Sequence, residues 1–146
     1  MTSIPLAGGP YSDALTSAFN WQTMRILIID EEVNIRRVLV CTVEQEHNAT
    51  AVDSWSKASA LLEKQCFDTV LLDLHLTGAD GFEVLSELTS NPNCSGVIAY
   101  STSANREEVL RRGASVFLTQ PFTPSELRAG LSQVRQHSRR VQMLES

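Results

Sequence analysis

Between Met24 and Gln136, short apolar runs alternate with stretches whose apolar residues recur every three or four positions. Met24 to Asp30, Thr69 to Asp73, Gly96 to Ser101 and Ser115 to Thr119 are largely apolar on both faces, as strands buried between two layers must be. Ala49-Thr50-Ala51-Val52 reads as a shorter strand. From Glu32 to Glu46, Val33, Ile35, Val38, Leu39 and Val43 have helical spacing, and a second helix with Ser56 as its cap runs through Ala58, Leu61 and Leu62 to Gln65. Asp80 is placed to cap a third helix, Gly81 to Ser90, with Phe82, Leu85 and Leu88 inward and Asn91-Pro92-Asn93 as its stop. Asn105 caps a fourth, Arg106 to Arg112, which Gly113 closes. Thr123 precedes Pro124 at the first turn of a last helix carrying Leu127, Leu131 and Val134 on one face. Five strands alternating with five helices predict an α/β fold, its parallel sheet covered on both faces and joined by right-handed crossovers.

The pattern is absent before Met24. Residues 1–23 carry Gly8-Gly9-Pro10 without periodicity and read as an extension, with one short ordered turn near Ala14 to Trp21. Residues 24–136 read as one domain, and 137–146 as a tail or the start of a linker helix, where Arg139 and Arg140 precede Val141 and Leu144. At 146 residues with 42% apolar and 20% charged, the chain can fill one core and predicts no second domain. The net charge of −5 argues against a surface devoted to nucleic acid. There is neither an apolar run of membrane-spanning length nor a secretory start, so the expectation is a cytoplasmic protein without membrane contact. Cys41, Cys66 and Cys94 are odd in number and scattered, and read as buried reduced thiols. His47, His75 and His137 lack ligand spacing and read as surface residues.

Candidate chemistry lies where the strands stop. The run Thr69-Val70-Leu71-Leu72 ends in Asp73, ahead of the turn-rich segment Leu76 to Gly81, and Ile26-Leu27-Ile28-Ile29 ends in Asp30-Glu31-Glu32. In an open α/β sheet, ligands bind beyond the carboxyl ends of the strands. Carboxylates gathered there repel one another unless a cation joins them, and hard oxygen ligands suit Mg²⁺.

Taken with Ser101 at the end of the fourth strand, Phe117 in the fifth and the turn Gln120-Pro121-Phe122, these acids stand in an order that resembles the receiver domain of bacterial two-component response regulators. The resemblance covers about Met24 to Gln136. It implies the flavodoxin-like, doubly wound five-stranded sheet of order 2-1-3-4-5. It further implies that Asp73 accepts a phosphoryl group from a sensor histidine kinase or phosphotransfer protein, and that Asp30, Glu31, Asp73 and the backbone carbonyl of His75 hold Mg²⁺. Ser101 would be the switch hydroxyl and Phe117 the switch aromatic, rotating inward as Ser101 moves. The altered surface of the fourth helix, fifth strand and fifth helix would then address a downstream protein or an output domain, and could also carry a homodimer. Two positions depart from the family pattern: Gln120 replaces the lysine before Pro-Phe, and Thr77 replaces a proline, the latter touching only loop rigidity. Gln120 motivates the alternative of a pseudo-receiver, an interaction module working without phosphate. A flavin or nucleotide binder of the same sheet order is disfavoured, because Asp30-Glu31-Glu32 stands where a glycine-rich phosphate loop would be needed.

Overall fold

Why each central strand is apolar on both faces is plain from a computed structural model, which describes residues 23–145, with side chains as far as His137. The extension and short turn expected before Thr23 lie outside the described residues. Strands β1 (Arg25–Ile29), β2 (Asn48–Val52), β3 (Thr69–Asp73), β4 (Val97–Ser101) and β5 (Val116–Thr119) form one parallel sheet in the order β2-β1-β3-β4-β5. Helices α1 (Val33–Val43), α2 (Trp55–Leu62), α3 (Gly81–Ser90), α4 (Arg106–Arg111) and α5 (Pro124–Glu145) supply the crossovers. The fold is the expected flavodoxin-like one.

Alternate strand residues serve two cores. Leu27, Ile29, Val70, Leu72, Ala99 and Phe117 pack with α2, α3 and α4. Ile26, Ile28, Leu71, Ile98, Tyr100 and Val116 pack with α1 and α5. Each fully buried aliphatic side chain contributes about 1.5–3 kcal/mol. The order reverses between β1 and β3, and that crevice is where such sheets bind ligands.

Several local details differ from the sequence reading. Helix α1 buries Leu39, Thr42 and Val43, whereas Val33 and Val38 are 43% and 58% exposed. Val38 is one residue, about 100°, off the inward line through Leu39. Ser54, not Ser56, caps α2, accepting from the Lys57 N–H at 3.2 Å. Asp80 caps α3 as expected, but the buried face is Val84, Leu85 and Leu88, with Phe82 half-buried beneath the Arg112 guanidinium 4.7 Å from its ring centre. Cys41, on the outer side of α1, and Cys66, in the connection between α2 and β3, are exposed, and Cys94, in the connection between α3 and β4, is half-buried, against the expectation of buried thiols. His47 is half-buried: its Nδ1 accepts from the Met24 N–H at 3.0 Å.

Two glycines set helix ends, Gly81 the start of α3 at the sheet's carboxyl rim and Gly113 the end of α4 at the amino rim. A Cβ on Gly81 would lie 2.2 Å from the Leu74 carbonyl oxygen, so only glycine lets α3 start this close to the segment after β3. Gly113, at φ 112°, occupies a backbone region that side chains disfavour and ends α4. Among the described residues no helix is long and apolar enough to cross a membrane.

Candidate functional site

The carboxyl ends of β1, β3 and β4 bring Asp30, Glu31, Asp73, His75 and Ser101 to one rim of the sheet. Asp30 is 1% exposed. Its Oδ1 accepts from the Glu32 N–H at 2.8 Å, and its Oδ2 accepts from the Tyr100 hydroxyl at 2.6 Å. Tyr100 pairs in register with Asp73, so its side chain crosses the central strand to reach β1. Burial, followed by the charge of Asp30, holds the Tyr100 pKa well above its ordinary value and keeps the hydroxyl a donor. Arg36 on α1 donates from Nη1 to the carbonyls of Asp30 and Glu31, at 2.8 and 3.0 Å, and so fixes the backbone of the acidic turn.

Glu31 faces another way. Its Oε2 accepts from both the N–H and the hydroxyl of Thr77, the latter at 2.6 Å. The expectation that Thr77 affects only loop rigidity is therefore corrected: proline there could offer neither donor.

Asp73 is half-buried, and its Oδ1 accepts from the His75 N–H at 2.9 Å. Burial raises its pKa above the usual carboxylate value; Asp30 and Glu31 add to that, against the opposing His75 hydrogen bond. No donor reaches Oδ2 among the described residues.

Ser101 is fully buried. Its Oγ accepts from the N–H groups of Ser103 and Ala104, both at 3.0 Å, and lies 2.8 Å from His75 Nε2. With both lone pairs engaged, the hydroxyl donates to Nε2, which assigns the imidazole proton to Nδ1. The His75 side chain thus belongs to the site, beyond the backbone carbonyl expected from the sequence.

The Gln120 N–H donates to the Ser101 carbonyl at 2.9 Å, and a cis peptide joins Gln120 to Pro121. Phe122 then meets Tyr100 edge-on, ring centres 5.4 Å apart and planes at 61°. Phe117, expected as the switch aromatic, is 4% exposed and packed within the layer of α2, α3 and α4.

Among the described residues no group of three or more His, Cys, Asp or Glu side chains is arranged to hold a metal. Of the carboxylates expected to hold the ion, Glu31 is engaged by Thr77, Asp30 by the Glu32 N–H and the Tyr100 hydroxyl, and Asp73 by the His75 N–H. These oxygen donors suit a hard cation, and the Asp73 carboxylate, whose pKa is raised chiefly by burial and then by Asp30, is one whose charged form a cation would stabilise. Sequence reading missed Tyr100, Arg36 and the His75 ring. A tyrosine in a strand apolar on both faces was the one available signal, since its hydroxyl must find a partner.

The response regulator receiver domain matches residues 26–132, and the chain belongs to that family. It is 30% identical over 128 residues to the alginate biosynthesis transcriptional regulatory protein AlgB of Pseudomonas putida, covering 83% of this chain and 29% of AlgB. The chain therefore spans under a third of that relative. Among solved structures, NtrX from Brucella abortus, in complex with ADP, superposes with a TM-score of 0.77 at 24% identity, covering 84% of this chain and 29% of NtrX. The receiver domain of the sensor histidine kinase PA1611 from Pseudomonas aeruginosa, solved with magnesium in its active site cleft, gives 0.68 at 24% identity, over 76% of this chain and 96% of that domain. At these identities the two structures speak to the fold alone.

Proposed function

We propose that this receiver domain accepts a phosphoryl group on Asp73 from a histidine kinase or phosphotransfer protein, and passes the signal through the face of α4, β5 and α5. One observation carries the reading: Asp73 stands at the end of the central strand with one oxygen fixed by the His75 N–H and the other, among the described residues, without a donor. Oδ2 is the nucleophile. As it bonds to phosphorus, the bond from phosphorus to the donor's imidazole nitrogen breaks, and the released nitrogen takes up a proton. Mg²⁺, as in the PA1611 receiver, would be held by Asp30, Asp73 and the His75 carbonyl and would supply positive charge against the phosphoryl oxygens.

Other groups act through this chain's own bonds. Ser101 must exchange its hydrogen bond to His75 for one to a phosphoryl oxygen, and Gln120 offers a neutral amide where the family has an ammonium. A phosphoryl group adds about −1.5 to −2 charge, by analogy with phosphoserine, which can bias a two-state surface.

The second reading is a pseudo-receiver. It draws on Gln120, on a switch hydroxyl already engaged by His75, and on a Phe117 ring already buried. Intact mass after incubation with a small acyl phosphate and Mg²⁺ separates the two. We expect one phosphoryl group on the wild type and none on Asp73→Asn. A folded wild type that gains no mass supports the pseudo-receiver; a phosphorylated Asp73→Asn protein moves the acceptor elsewhere.

A further inference from the structure

Tyr100 has no part in the phosphoryl transfer itself, yet it touches both ends of the site. Its side chain is wholly buried in a strand whose neighbours Val97, Ile98 and Ala99 are apolar, where phenylalanine would fill the same space. What the hydroxyl adds is a 2.6 Å bond to Asp30 Oδ2, across the strand that carries Asp73. At the other end its ring packs edge-on against Phe122, which follows the Gln120-Pro121 peptide in the turn leading to α5. The backbone repeats the link, because the Gln120 N–H is bonded to the carbonyl of Ser101, the residue after Tyr100. Among the described residues no Lys or Arg side chain binds the Asp30 carboxylate; Arg36 holds only carbonyl oxygens.

We infer that Tyr100 is a positioning residue whose hydroxyl fixes the Asp30 carboxylate in place of a cationic side chain, and whose ring carries a change at that carboxylate to Phe122 and the turn before α5. The inference rests on reading Asp30 as part of the cation and phosphoryl site. A cation drawing on the same carboxylate weakens the hydroxyl's hydrogen bond, and the ring resettles against Phe122. An ordinary core tyrosine, merely satisfied by the nearest acid, would transmit nothing.

Tyr100→Phe keeps the ring and deletes the hydroxyl. With ¹⁵N-labelled protein titrated with MgCl₂, the wild type should show amide shifts at residues 30–32 and 73–75, and again at Phe122 and Thr123. In Tyr100→Phe the first set should persist and the second disappear, with the thermal midpoint confirming a folded variant. Shifts at Phe122 and Thr123 that persist in the variant, or are missing from the wild type while the first set moves, overturn the inference. If no residue responds to Mg²⁺ in either protein, the cation reading fails instead, and a cation-free measurement decides on Tyr100. Asp30→Asn should then move the ring resonances of both Tyr100 and Phe122; a Phe122 ring that stays in place overturns the coupling by itself.

Discussion

The two ends of the sheet obey opposite rules. At the amino end, long-range polar groups find complementary partners: the Met24 N–H meets His47, the Arg25 N–H meets the Asp68 carboxylate at 2.7 Å, and the Asn93 amide meets the Leu62 carbonyl at 2.7 Å. At the carboxyl end, Asp30, Glu31 and Asp73 are met mainly by neutral donors: backbone N–H groups, the Thr77 hydroxyl and the Tyr100 hydroxyl. One end closes the fold. The other carries excess negative charge where a cation or phosphoryl group can act, which is the division a signalling domain needs.

The largest expected effect breaks the carboxyl end at its most buried point. Asp30→Ala leaves the Tyr100 hydroxyl without its acceptor, and an orphaned buried donor costs about 1–3 kcal/mol. Deleting both partners removes that orphan, so Tyr100→Phe added to Asp30→Ala should recover part of the loss in a double-mutant cycle read by urea denaturation. A single-variant cost within about 0.5 kcal/mol, as at ordinary surface positions, would mean that the bond contributes nothing.

Acid and base reveal the same contrast with opposite signs. The folded pKa of Asp73 is raised, chiefly by burial, so its ionisation costs stability. That cost is absent below the ordinary value of 3.8, grows as pH rises toward the raised value, and is complete above it. Asp73→Asn should therefore match the wild type in acid and exceed it at neutral pH, by denaturation across that range. His47 behaves in reverse: burial, then Arg135, lowers its pKa from 6.5, so it costs nothing above 6.5 and stability falls as pH drops through the window beneath. Equal neutral-pH stability of Asp73→Asn and wild type would mean that ionising the half-buried Asp73 carboxylate costs the fold nothing.

The asymmetry explains what could be read in the sequence. Strands β1, β3 and β4 were legible because they are apolar on both faces, and Asp30 and Asp73 were legible because each ends such a run. The partners were not. Thr77 lies 46 residues from Glu31 and Tyr100 lies 70 from Asp30, and each pairing exists only through sheet order and register. Val38 misled for a local reason, since one apolar position beside the inward line of α1 looks periodic until the helix is laid on the sheet.

Gln120→Lys makes the smallest change to the fold and the sharpest to the contrast between the two ends, since it brings a cation toward carboxylates that, among the described residues, no Lys or Arg side chain binds. Residue 120 is half-buried, and its N–H is anchored to the carbonyl of Ser101, so a lysine would rise from a fixed base beside the switch hydroxyl. An ionic hydrogen bond contributes about 1.5–3 kcal/mol against roughly 0.5–1.5 for the neutral amide. Without phosphate, the ammonium should lower the Asp73 pKa, flatten the pH dependence of stability that Asp73 imposes, and weaken Mg²⁺ binding by competition. With phosphate, it should widen the gap between the two states of α4, β5 and α5. A ligand-driven shift can be no larger than the difference in contacts it makes with each state. Because the wild type already buries Phe117 and offers only an amide, its hydrogen-exchange response to a phosphate mimic should be partial, and that of Gln120→Lys larger. A full wild-type response that lysine leaves unchanged would mean that another donor already serves the phosphoryl oxygens, with the Ser101 and His75 pair the first place to look.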